Sequence, residues 1–100
     1  SESIRLILQT QPGERVMRPE FGCRLRDFAF QEVNYTQLSQ MEKEVRRALT
    51  QWEPRIIELE VLCRPDTDRQ STILIEISYV VRSTNNPYNL VYPFYLNETA

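Results

Sequence analysis

Apolar positions recur at helical spacing between Tyr35 and Trp52, where Leu38, Met41, Val45, Ala48, Leu49 and Trp52 trace one face. Asn34 is placed to cap this helix, with Gln37 reaching back in a capping-box arrangement, and Val33 and Leu38 stand at the two staple positions. On the opposite face Glu42 and Arg46 stand four apart in the favourable order for an ion pair. Pro54 cannot continue the helix and biases Glu53 out of helical geometry, so the helix ends near Trp52.

The period then changes to two. Ile57, Leu59, Val61 and Cys63 alternate with Glu58, Glu60, Leu62 and Arg64, and Ile73 to Val81 repeat the pattern. In a third run, Leu90, Tyr92, Phe94 and Leu96 alternate with Val91, Pro93 and Tyr95. Polar segments at Arg64–Ser71 and Ser83–Asn89 separate the runs, which predicts an antiparallel meander. Pro93 lacks a backbone N–H, so the third strand belongs at a sheet edge. An edge with apolar residues on both faces is an aggregation hazard unless Pro93 blunts it or a partner covers it.

The first third of the chain is less regular. Ile4, Ile7 and Leu8 fit a helical face while Ile4, Leu6 and Leu8 fit a strand, and Ser3 as a cap favours a short helix. Gln11-Pro12-Gly13 suits a type II turn. Between Glu14 and Glu32 no clean period emerges, and Phe21, Leu25, Phe28 and Phe30 are expected to pin an irregular segment onto the core. The predicted fold is a two-layer α+β domain: a long central helix and a short N-terminal helix packed on a three-stranded antiparallel sheet. One hundred residues suit a single domain spanning the whole chain.

Composition narrows the function classes. The net charge of -2 and the mixed charges argue against a nucleic-acid binder. The cluster Arg15, Arg18, Arg24 and Arg26 is interleaved with Glu14, Glu20 and Asp27, which reads as a protein-facing surface. No apolar run approaches the ~20 residues needed to cross a membrane, and no signal peptide opens the chain. Ser1 in place of Met points to processing or trimming. Eleven of the twelve basic residues are Arg, which suits intersubunit contacts, although a GC-rich genome has the same effect. With no His and only Cys23 and Cys63, far apart, no metal site or cofactor is expected, and both thiols read as reduced.

Without His, a Ser–His or Cys–His nucleophile is impossible, so an enzyme would have to use carboxylates. Glu58 and Glu60, read as sharing a strand face, and Glu76 on a neighbouring strand are the available set for a glycosidase. A solvated, alternating sheet face explains them better, and the chain is read as a non-enzyme. Two glycines cannot build a phosphate loop. The sharpest local feature is Glu53-Pro54-Arg55, a stiff corner joining helix to strand. It could grip a partner helix by charge-assisted hydrogen bonds, or simply stop the helix with two solvated charges.

Several runs carry a family resemblance. Ile4-Arg5-Leu6-Ile7-Leu8-Gln9-Thr10-Gln11-Pro12-Gly13-Glu14-Arg15 resembles the opening of the contractile-phage baseplate wedge family, which initiates the tail sheath and includes the TssE subunit of type VI secretion baseplates. Met17-Arg18-Pro19-Glu20-Phe21-Gly22-Cys23, Leu25-Arg26-Asp27-Phe28-Ala29-Phe30 and Trp52-Glu53-Pro54-Arg55-Ile56 continue the match, the last with the family's Glu-Pro-Arg signature. The resemblance covers nearly the whole chain. Relatives extend upstream of the first motif, so an N-terminal segment before it is expected.

The resemblance implies a structural protein of a tail or injection-machine baseplate, assembled in the bacterial cytoplasm. Glu53, Pro54 and Arg55 would dock on a helical core bundle of the larger wedge proteins. Leu90, Tyr92, Phe94 and Tyr95 would lie on the strand that the tail sheath protein completes with an extended arm, repeated in six copies per baseplate. Arg55→Ala is then expected to spare the fold and abolish incorporation. Some relatives carry a lysozyme label, which these residues do not support. The alternatives are a peptidoglycan-cleaving glycosidase and a regulatory adaptor that borrows the fold.

Overall fold

A computed structural model describes residues 2–96. In chain order it contains helix α1 (Glu2–Gln9), a 3-10 turn (Leu25–Phe28), helix α2 (Tyr35–Trp52), and strands β1 (Ile56–Pro65), β2 (Thr72–Val81) and β3 (Asn86–Tyr95). The strands form one antiparallel sheet in the order β1-β2-β3, the expected meander in a two-layer α+β fold.

The core follows the two periods. Met41, Val45, Ala48 and Leu49 from α2 meet Ile73, Ile75, Ile77 and Tyr79 from the central strand, all buried. Ile4, Ile7 and Leu8 of α1 close one side, so the helical reading of that segment holds. Ser3, however, lies inside α1 and is not its cap; its hydroxyl donates to Glu53 instead. The turn at Gln11-Pro12-Gly13 forms as expected. Glu14 N–H donates to Gln11 C=O at 3.1 Å, and Gly13 takes the positive φ of 101°.

At the start of α2, Asn34 Oδ1 accepts from Gln37 N–H at 2.8 Å. The Gln37 side chain does not complete the capping box. It is buried and donates to the Phe28 carbonyl at 3.2 Å, tying the irregular segment to the helix. Glu42 and Arg46 also depart from expectation: both reach across to β1 backbone, and the ion pair on this helix joins Glu44 to Arg47. In the irregular segment Leu25 and Phe28 are buried and Phe21 packs edge-on against Trp52, but Phe30 is 70% exposed.

Two strand details were hidden from the sequence pattern. The β1–β2 register slips by one residue between Ile57 and Glu60, with Glu58 at φ 51°. The bulge reverses the phase, so Ile56, opposite Val81, packs on the core and Ile57 pairs with Val80. Strand β3 begins at Asn86, four residues before the apolar alternation, because a four-residue loop with Asn85 at φ 57° closes the hairpin early.

Candidate partner-binding sites

The corner after α2 is a locked ion pair. Glu53 ends the helix, its N–H bonding Leu49 C=O at 2.9 Å, and its side chain is only 6% exposed. Arg55 grips that carboxylate with both arms of its fork, Nε to Oε2 at 2.9 Å and Nη2 to Oε1 at 2.8 Å. Ser3 Oγ donates to the same Oε1 at 2.7 Å, fastening α1 to the corner. The hydrogen bonds from Arg55 hold the Glu53 carboxyl below the usual carboxylate range, outweighing the opposing effect of burial, with Ser3 adding to them. Arg55 itself remains 72% exposed. Pro54 fixes the short path between the two charges, and Arg82 N–H closes onto Arg55 C=O at 2.8 Å.

Beside this corner lies a groove of about 300 Å³ lined by Ser3, Glu53, Arg55, Ile56, Tyr79 and Tyr88. Tyr79 and Tyr88 stack across the β2–β3 pair with centroids 5.6 Å apart. The groove therefore offers one aromatic wall and one charged wall. Its Ser3 and Tyr88 contributions were not evident in the sequence, since Ser3 suggested a cap and Tyr88 a turn.

The second predicted surface is β3. It lies at the sheet edge, with Pro93 opposite Leu74 as its missing donor requires. Leu90 is buried and holds the strand down; Tyr92 and Phe94 are half-buried at the rim of the core. Tyr95 and Val91 face the other side and are 57% and 39% exposed. Arg55 and the end of β3 at Tyr95 stand at opposite ends of the sheet, since Arg55 adjoins the β2–β3 hairpin.

The other candidates resolve into structural roles. Glu76 accepts from Arg64 at 2.7 Å and from Asn89 at 3.0 Å. The Asn89 bond and then the Arg64 bond hold its carboxyl below the usual range, the opposite of what a general acid needs. Glu58 sits in the bulge, so it and Glu60 do not form the regular pair the alternation suggested. Of the arginine cluster, Arg26 pairs with Glu14 at 2.7 Å, Arg15 lies over Phe21 and Arg18 over Trp52. Arg24 offers its backbone N–H to Glu44. Cys23 and Cys63 are buried free thiols, each pushed up to about 12 chiefly by burial. Among the described residues no group of His, Cys, Asp and Glu could hold a metal, and no helix is long and apolar enough to cross a membrane.

This architecture has clear relatives. A protein of Geobacter sulfurreducens named for a tail lysozyme superposes with a TM-score of 0.89 at 55% identity, over 99% of this chain and 89% of that one. A chain of the anti-feeding prophage baseplate gives a TM-score of 0.74 at 28% identity, over 80% of this chain and 64% of that one. A chain of the type VI secretion system baseplate complex shares the fold, with a TM-score of 0.78 at 17% identity over 96% and 89% of the two chains. Baseplate wedge protein gp25 of Enterobacteria phage T4 is 35% identical over 79 residues, which is 79% of this chain but 59% of that relative's length. The profile of the family described as baseplate wedge protein gp25 matches residues 1–86. The chain belongs to the baseplate wedge protein gp25 family.

Proposed function

We propose that this protein is a structural component of the baseplate of a contractile tail or injection machine, with two partner surfaces. The Glu53-Pro54-Arg55 corner docks on a helical bundle of the larger wedge proteins. The β3 edge accepts an extended arm of the tail sheath protein and starts sheath assembly, in six copies around the baseplate. The protein acts in the tail baseplate after assembly in the bacterial cytoplasm. Family membership supports the baseplate assignment. The observation that carries the corner's role is the exposed Arg55 guanidinium held rigid by a buried carboxylate. A solvated helix stop has no need of such an anchor; a side chain presented to a partner gains from it, because less freedom is lost on binding.

At the sheet edge, each added backbone hydrogen bond contributes about 0.5–1.5 kcal/mol net, so one docked strand is modest and sixfold repetition makes the attachment firm. The lysozyme name of the Geobacter relative is not carried over, because Glu76 is committed to Arg64 and Asn89.

The test is co-purification of tagged protein with wedge and sheath proteins. Truncating Arg55 alone would strand the buried Glu53 carboxylate, at a cost of roughly 1–3 kcal/mol, so Arg55→Ala is best made together with Glu53→Gln. The double variant is expected to stay folded and lose the wedge proteins, while Glu53→Gln alone retains most of the capture. Undiminished capture by the double variant would remove the corner from the interface. Clearing of peptidoglycan by the purified wild type, lost in Glu76→Gln, would overturn the structural reading altogether.

A further inference from the structure

The chain between Gly13 and Pro19 closes on itself. Gly13 N–H donates to Pro19 C=O at 2.6 Å, and Phe21 N–H donates back to Arg18 C=O at 3.1 Å. At the tip of this loop stand Val16 and Met17, 94% and 89% exposed, the two most exposed large apolar side chains among the described residues. Neither contributes to the core. An isolated aliphatic side chain is ordinary surface, but these two are adjacent and the loop beneath them is braced on both flanks. Arg15 lies over the Phe21 ring, 4.8 Å from its centroid, and Arg18 over the Trp52 ring at 5.0 Å. The two rings pack edge to face at 5.2 Å, so a stack of four side chains carries the tip on the end of α2. A braced tip loses little freedom on binding, which is the advantage of a prepared anchor.

The same stack sets the charge around the tip. Arg26, Arg47, Arg55 and Arg64 each pair with a carboxylate of the chain. Among the described residues Arg15 and Arg18 do not; aromatic faces hold them instead. A guanidinium stacked on a ring keeps its N–H edge in plane, open to a carboxylate from outside. Glu14 is committed to Arg26 at 2.7 Å, so the two arginines outweigh Glu20 near the tip.

We propose that Val16 and Met17 form an apolar plug for a socket on one of the larger wedge proteins, with Arg15 and Arg18 meeting carboxylates on the socket's rim. This rests on the wedge contact proposed above and extends it from the corner onto the loop. Two observations select that occupant. The first is area. Two aliphatic side chains offer roughly 250 Å², against about 800 Å² per partner in a stable interface, so the plug alone holds neither a separate partner nor a second copy. The second is position. Trp52, the last residue of α2, carries Arg18 on its ring and has Glu53 as its chain neighbour, so plug and corner stand at the same end of the helix. A partner held at the corner meets the plug at high effective concentration. A lipid surface fits less well, because two aliphatic side chains bury too little area to anchor there and Glu20 opposes anionic headgroups.

The experiment is calorimetric titration of the purified larger wedge proteins with wild type and four variants: Val16→Ser/Met17→Ser, Val16→Ile/Met17→Leu, Arg15→Gln/Arg18→Gln and Arg55→Ala/Glu53→Gln. Both tip side chains are almost wholly exposed, so the serine variant is expected to melt as wild type does. It is expected to bind the wedge proteins about tenfold more weakly, as truncated anchor residues do, and the Ile/Leu variant to restore the affinity. The glutamine variant is expected to flatten the salt dependence of binding, and an unchanged slope overturns the carboxylate rim. A serine variant that binds as wild type overturns the plug; if the corner variant has meanwhile lost binding, the corner stands without it. Loss in the serine variant with an unaffected corner variant upholds the plug and removes the corner. Wild type that binds no wedge protein overturns both. Pelleting with phosphatidylserine vesicles that depends on Val16 and Met17, beside unchanged wedge binding, replaces the protein socket by a membrane.

Discussion

Glu53 shows how one side chain can serve the fold and the proposed docking corner together. Its carboxylate is buried, receives three hydrogen bonds from Ser3 and Arg55, and joins α1, the end of α2 and the start of β1. Because Arg55 holds the folded-state pKa below the ordinary 4.5, the stabilisation is full above that pH and is lost as pH falls through the folded value. Glu53→Gln is expected to lower stability at pH 7 by about 1 kcal/mol, a figure discounted for the solvent around Arg55. The gap to wild type should narrow as pH falls below 4.5, read by thermal melts at each pH. A gap constant over that range would mean the ion pair adds nothing to the fold. At this scale the sequence was half legible. The tripeptide stood out because proline after a long amphipathic run is unmistakable, but Ser3, fifty residues away, could not be assigned to it from local spacing.

Among the elements, the bounds, apolar stripe and cap of α2 were readable because tertiary packing follows its own period, whereas the Gln37 capping box and the Glu42–Arg46 pair did not form. Leu38 to Trp52 supply the apolar stripe, Asn34 the cap and Pro54 the stop. The sheet was legible where β2 alternates and illegible at the β1 bulge, since one inserted residue reverses the pattern without altering composition. The start of β3 was missed for a related reason: Asn86-Pro87-Tyr88-Asn89 has turn chemistry, and only pairing with β2 makes it a strand. The irregular segment depends instead on a close approach. Cys23 N–H donates to Thr10 C=O at 2.8 Å, and Gly22 beside it sits at φ 129°, with its missing side chain pointing at the Thr10 carbonyl. Gly22→Ala therefore meets both an unfavourable φ and backbone that cannot retreat, and is expected to destabilise by more than about 1 kcal/mol in urea unfolding. The equivalent change at Gly13, where a side chain would meet open space, carries only the φ penalty and should be milder. Equal effects at the two positions would mean the contact with Thr10 is looser than it stands here.

At the scale of the whole molecule, the two proposed surfaces lie at opposite ends of a rigid sheet. From the residues adjoining Arg55 to Tyr95 the strands run about nine residues, or roughly 30 Å, within a body of 45 × 34 × 21 Å. A bridge between wedge and sheath requires this separation, since both partners must fit at once. Strands β2 and β3 are paired from end to end and the inward residues of β2 are buried, so the part of the sheet that joins the two surfaces is expected to move as one body. The surfaces should therefore act independently. Val91→Pro is expected to lose the sheath and keep the wedge proteins, and Arg55→Ala/Glu53→Gln to do the reverse. Combining them should give losses that add in free energy, as for sites more than about 10 Å apart without shared partners. Quantitative pull-downs against each partner, on wild type and the three variants, measure this directly. A corner variant that weakens sheath binding would mean that the sheath arm reaches the groove beside Tyr88, and that the two ends form one continuous interface.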